Sequence, residues 1–281
     1  MQSMGQRLFV VAMVFALFFS FPFSAPAGEP LVAKTLDRDA DPVIVSGASM
    51  PEFLNASLGQ LFVYAYRGGQ WQQIPWQFDE VRNGEYIALD NDQLDAVDEL
   101  VVMGMDCGDR AASSNWISDV SAQSYPRYEI KVVDPLDTTK LCWVYVYHSA
   151  DLMETVTVDY VDYDFDTSMF TTPIYKLGFF VKYLAGNHLE LNGSGINVLD
   201  RSKIRFKVPG QDEWSEEFGE SDDPQPKILD GRVRAIAGYQ ELGQGILTIG
   251  YRSQFYDQFT IDFSWSPLPF EWMRLSADFN E

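Results

Sequence analysis

Five carboxylates, Asp90, Asp92, Asp95, Asp98 and Glu99, fall within ten residues of one another. A Ca2+ ion takes roughly six to eight oxygens at short range, and clustered carboxylates with backbone carbonyls supply them. The run opens as Asp-x-Asp, as calcium loops do. It departs from the EF-hand pattern in three ways: Leu94 stands where a third ligand belongs, no glycine marks the sharp turn, and no Glu falls at the twelfth position. Two readings stay open, a Ca2+ site or a solvated acidic loop that caps a hairpin.

A second constellation is basic. At the two-residue period of a strand, Arg201, Lys203, Arg205 and Lys207 share one face, and Ile204, Phe206 and Val208 share the other. Arg232 and Arg234 repeat the pattern beside Val233 and Ala235. If the two strands are neighbours they make a cationic face, and arginine matches carboxylates bidentately, so the face suits a uronate-bearing glycan or another anion. The alternative is an exposed face neutralised by the acidic loop that follows, Gln211 to Gln225.

The two histidines, His148 and His188, are read as structural, although His188 and Glu190 could share a strand face as a His-x-Glu pair. The chain has no Gly-x-Ser-x-Gly elbow, no His-Glu-x-x-His, no phosphate loop and no Cys-x-x-Cys. Trp71, Trp76 and Trp214 are aromatic enough to stack on sugar rings, yet each singly reads as core or edge packing. Cys107 and Cys142 are read as one disulfide, with two buried free thiols as the alternative.

The elements that must position these residues have the period of strands, not helices. Strands are expected at Pro42–Val45, Leu61–Tyr66, Trp71–Ile74, Trp76–Val81, Tyr86–Leu89, Glu99–Met105, Tyr128–Val133 and Leu141–Tyr147. Asn83-Gly84 is a strong hairpin signal, and Pro75, which cannot donate to a ladder, places the strand before it at an edge or bulge position. Val156–Phe165 alternates as well, Gly186-Asn187 reads as a turn, and strands recur at Gly231–Ile236, Gly245–Tyr251 and Phe259–Trp265. The fold class is all-β and antiparallel: a β-sandwich, two stacked sandwiches or a reduced supersandwich.

Residues 1–27 read as a cleaved signal peptide: Arg7, an apolar run from Leu8 to Phe23, then Ser24-Ala25-Pro26-Ala27. The remainder reads as residues 28–150 and 151–281, two β units or two halves of one, and the chain is expected in an extracytoplasmic, periplasmic or secreted setting. With 20 basic against 41 acidic residues it carries a net charge of −21, which argues against nucleic acid and anionic lipid as partners.

The run Trp71-Gln-Gln-Ile74-Pro75-Trp-Gln77-Phe-Asp79-Glu80, followed by Asp90-Asn-Asp92 and Asp98-Glu99-Leu100-Val101, resembles a known pattern. It is similar to the N-terminal β-sandwich of uncharacterised secreted bacterial proteins, some of them associated with breakdown of pectin-like polysaccharides. The resemblance covers about residues 61–109, implies the fold and transfers no catalytic residue. The acidic turn departs from the pattern by lacking its glycine.

The expected function is therefore a non-catalytic extracytoplasmic binding protein for carbohydrate, with Ca2+ as a stabilising ion. A polysaccharide lyase or hydrolase is the alternative, with Arg205 or Arg234 neutralising a uronate and Tyr251 or His188 as base. An outer-membrane or structural cell-envelope β-protein is the third reading, disfavoured by the long acidic loops.

Overall fold

In the computed structural model, the described residues are 15–16, 32–39, 41–88, 91–180, 185–207, 210, 227–241, 246–253, 256–263 and 272–279. The first nine strands are β1 (Phe15–Ala16), β2 (Pro42–Ser46), β3 (Leu61–Arg67), β4 (Gln70–Gln73), β5 (Trp76–Arg82), β6 (Glu85–Ile87), β7 (Glu99–Met103), β8 (Arg127–Val133) and β9 (Leu141–His148). Ten more follow. They are β10 (Asp162–Asp164), β11 (Met169–Thr171), β12 (Tyr175–Phe180), β13 (Ala185–Leu191), β14 (Leu199–Lys207), β15 (Lys227–Asp230), β16 (Arg234–Glu241), β17 (Ile246–Ser253), β18 (Tyr256–Phe263) and β19 (Trp272–Phe279). The pairings are antiparallel, so this is an all-β protein of several antiparallel sheets. Among the described residues no helix is long and apolar enough to cross a membrane.

The chain divides into two compact units, Met1–Val81 with Leu89–Thr157, and Arg82–Ala88 with Val158–Glu281. In the first unit one sheet runs β1-β8-β9-β3-β4, and β2, β7 and β5 lie side by side in another. Strand β8 alternates cleanly: Tyr128, Ile130 and Val132 are buried, and the residues between them, Arg127, Glu129 and Lys131, are less fully covered. Strands β3 and β9 do not alternate, because both of their faces are covered. One apolar core takes Val45, Leu100 and Val102 from one sheet and Val63, Ile130, Val144 and Val146 from the other, with Met50, Phe53 and Leu94 between. Strand β4 is the edge its following proline implies. Ile74 still donates to the Val63 carbonyl (3.1 Å), and Pro75 then lets the chain leave for β5.

The second unit takes the hairpin tip, where Asn83 and Gly84 both have positive φ (58° and 82°), the backbone of a type I′ turn. Its remaining strands form the sheets β10-β11-β12-β13, β14-β19 and β15-β16-β17-β18. A small core of Val161, Tyr163, Phe170 and Ala235, with Leu177 against it, sits in this unit.

Three local expectations differ from the structure. Gly186-Asn187 does not turn the chain but lies inside β13, and the irregularity appears as a register shift at Gly178/Phe179. Of the alternating Val156–Phe165 stretch only Asp162–Asp164 pairs. The strand expected from Gly231 starts at Arg234, after a bend at Arg232 and Val233.

The acidic loop is threaded against Gly47. The Gly47 N–H donates to the Asp98 carbonyl (2.8 Å), and a Cβ on Gly47 would collide with the Asp95 carbonyl oxygen. Because that obstacle is backbone and cannot swing aside, Gly47→Ala is expected to destabilise the protein by about 1–3 kcal/mol. A urea unfolding midpoint that matches the parent protein would refute this close approach.

Candidate functional site

Two carboxylates hold the backbone of the acidic loop, Asp98 within it and Glu80 on β5. Asp98, only 2% exposed, accepts the Val81 N–H on one oxygen (2.9 Å) and the Asp95 N–H on the other (2.6 Å). Burial pushes its carboxyl above the usual range, and the two amide bonds pull the other way. Glu80 reaches across from β5, its Oε1 accepting the Asn91 and Asp92 N–H groups (3.2 and 3.0 Å). Leu94, which takes the place of a calcium ligand in the sequence, is fully buried and anchors the loop in the core. Among the described residues no group of three or more His, Cys, Asp or Glu is arranged to hold a metal ion. Asp90 lies outside the described residues, Asp92 is exposed, and Glu99 pairs in register with Ser46 and Asp79.

The densest polar chemistry lies on the second face of the β8-β9-β3-β4 sheet. Register sets Tyr64 across from Tyr145, Phe62 across from Tyr147, and Arg127 across from Tyr147 on the other side. The Arg127 guanidinium, 7% exposed, lies over three rings at once: Tyr145 (5.0 Å to the centroid), Trp116 (5.3 Å) and Trp71 (5.7 Å). It donates to the Asn115 carbonyl (2.6 Å), while the Asn115 side chain accepts the Trp71 indole N–H (3.2 Å). Glu129 stands 3.8 Å from the guanidinium and accepts from Arg110 (2.8 Å). The Tyr145 hydroxyl accepts the Ala111 N–H (2.6 Å). The Tyr147 hydroxyl is buried beside Arg127 and the Ile117 N–H without a fully formed hydrogen bond. Burial raises both phenols well above their ordinary range. Loop 109–126 is thus fastened over the sheet by its own backbone and cannot admit a ligand without leaving these partners.

At the end of β9 three connections meet. The Ser149 N–H donates to the Gln60 carbonyl (2.9 Å), the Ser149 hydroxyl to Asp119 (2.8 Å), and the Ala150 N–H to the Ser121 hydroxyl (3.2 Å). On this rim Tyr125 stacks on His148 with centroids 3.9 Å apart and planes tilted by 39°. His148 Nε2 is 3.1 Å from Gln60 Oε1, and burial lowers the pKa of the ring. Phe53 supports the imidazole from the core side (5.7 Å). Tyr125 is 38% exposed, a large aromatic ring left open to solvent on a surface where Trp71 and Trp76 are turned inward.

The two basic stretches lie in different sheets. Strand β14 pairs with β19, setting Arg201 against Asp278, Lys203 against Ser276, Arg205 against Arg274 and Lys207 against Trp272. Arg232 and Arg234 belong to the stretch entering β16, in the sheet of β15 to β18, so they do not flank β14. Arg234 is buried, its guanidinium 5.2 Å over the Tyr86 ring. His188 lies 3.9 Å from Glu190, whose carboxylate also meets Lys176 (3.4 Å) and the Gly195 N–H (2.9 Å). That amide bond, with Lys176, holds Glu190 below the usual carboxylate range. Tyr251 sits on β17 opposite Ile236, so Arg205, Arg234, Tyr251 and His188 fall on four strands in three sheets. Trp214 and the loop Gln211 to Gln225 lie outside the described residues.

Sequence reasoning missed Arg127 and Tyr125. Arg127 opens an alternating strand and carries no motif; Tyr125 lies in an unpatterned loop. No family model, curated protein or solved structure matches this chain.

Two substitutions test this geometry. Arg127→Met removes the charge that the rings, Asn115 and Glu129 surround, and is expected to cost about 3–5 kcal/mol in urea unfolding and to speed proteolysis within loop 109–126. Asp98→Asn keeps one acceptor and turns an amide donor on the other N–H; the loss is expected to be about 1–3 kcal/mol. Unchanged unfolding midpoints would show that these groups do not hold the loops.

Proposed function

We propose that the chain is an extracytoplasmic, non-catalytic carbohydrate-binding protein, built as a β-sandwich protein whose saccharide site is the rim at the end of β9. One observation carries the reading: the Tyr125 ring is exposed while stacked on His148, whose Nε2 meets the Gln60 amide oxygen. A sugar ring presents an apolar C–H face and a polar edge. An open tyrosine face suits the first, and the Gln60 and tyrosine hydroxyl groups suit the second. The platform is preformed, because His148 and Phe53 fix its underside and loop contacts at Ser149 fix its approach.

The setting supports the reading from a separate direction. The N-terminal apolar run with Ser24-Ala25-Pro26-Ala27 fits export, and the acidic composition fits a soluble binder of neutral ligands better than one of polyanions. The resemblance of residues 61–109 to secreted proteins linked with polysaccharides agrees with both.

The test is calorimetric titration of the protein with a panel of neutral and uronate oligosaccharides, repeated with Tyr125→Ala. Binding to a neutral oligosaccharide is expected, weakened about tenfold or more in the variant. As an exposed substitution it should change stability by no more than about 0.5 kcal/mol. Binding that ignores Tyr125→Ala would overturn the site, and a uronate-only response lost in Arg205→Ala would move it to β14.

A further inference from the structure

Cys107 and Cys142 are distant in sequence and adjacent in space. Both are buried free thiols, 1% and 0% exposed. Cys107 follows the three-residue 3-10 turn Gly104–Asp106, and Cys142 is the second residue of β9. Their neighbours, Gly108 and Trp143, form an antiparallel bridge closed by both hydrogen bonds, Gly108 N–H to Trp143 O (2.9 Å) and Trp143 N–H to Gly108 O (3.0 Å). The thiols lie within hydrogen-bonding reach of each other.

The backbone on the Cys107 side has little freedom to move away. Lys34 donates to the Gly104 carbonyl (2.9 Å) and lies 3.3 Å from that of Met105. Arg67 donates to Met105 O (3.0 Å) and pairs with Asp106 (3.5 Å). Gly108 itself passes so close to Tyr66 that an added Cβ would meet its backbone oxygen. Two thiols held together by this much fixed structure need only small side-chain rotations to reach bonding geometry.

We infer that Cys107 and Cys142 form a disulfide that staples the 3-10 turn after β7 to the start of β9. In the reaction one cysteine thiolate attacks an oxidised disulfide donor such as glutathione disulfide, releasing one reduced thiol and forming a mixed disulfide. The second cysteine then displaces the other donor thiol, so the protein loses two hydrogens and the donor gains them. Burial raises the Cys142 thiol far above its ordinary range, so the folded, reduced protein exchanges slowly and the bond forms as the chain folds. This inference stands on the placement of the turn after β7 beside the start of β9 and is independent of the saccharide site.

The experiment is refolding of the urea-denatured, reduced protein in a mixture of oxidised and reduced glutathione, with a parallel sample in excess reductant. Peptide mapping of the first sample is expected to show the Cys107 and Cys142 peptides linked, with a melting temperature roughly 10 °C above the reduced sample. The variant Cys107→Ala should melt at the same temperature under both conditions. Two free thiols after native refolding in glutathione would overturn the assignment, as would glutathione caps on either cysteine in place of a cross-link. Should Cys107→Ala fail to fold, the peptide map of the parent protein still decides the question.

Discussion

A buried guanidinium governs the first unit. Removing Arg127 from water is costly, and the cost is met only where its charge is paired and its N–H groups are bonded. Three aromatic faces, one backbone carbonyl and Glu129 meet that demand. The carbonyl belongs to Asn115 and one of the rings to Trp116, so satisfying the charge brings loop 109–126 onto the sheet. Once the loop is down, β3 and β9 are buried on both faces, and the Ala111 N–H finds the Tyr145 hydroxyl. The position of Tyr125, at the far end of the same loop, follows from where Arg127 holds its middle.

The same logic runs through the acidic loop. In a protein of net charge −21, a run of carboxylates invites reading as a surface for a cation. The structure shows Asp98 and Glu80 occupied with four backbone N–H groups, those of Val81, Asp95, Asn91 and Asp92. A loop with no ladder of its own must find acceptors for its amides, and short acidic side chains supply them. Asp98 is held there even though burial works against its charge, which indicates how much the amides depend on it.

What was legible in the sequence is what short-range physics decides. Asn83-Gly84 turns because both residues tolerate positive φ, Pro75 ends a ladder because it lacks an N–H, and β8 alternates because one of its faces meets the core. Strand β13 was hidden because Gly186 and Asn187 are turn formers by propensity, overridden here by pairing with β12. The partner of β14 was illegible for another reason: β19 lies about seventy residues further on, and register over that distance leaves no local mark. The candidate rim has the same character. Gln60 and Tyr125 come from two connections and His148 from the end of β9, and only the fold makes them neighbours.

That separation also explains why the exposed tyrosine is more informative than the tryptophans. An aromatic-rich all-β chain buries most of its rings to fill its sheets, and here Trp71, Trp76, Trp143, Tyr145 and Tyr147 are absorbed in that way. Their burial needs no function to explain it. Tyr125 contributes little to the core, yet its orientation is fixed by a histidine that is itself held from below by Phe53 and at its edge by Gln60. Folding stability alone gives no reason to prepare an open ring so carefully. The saccharide reading proposed for this rim supplies one: a rigid platform loses little conformational entropy when a ligand covers it.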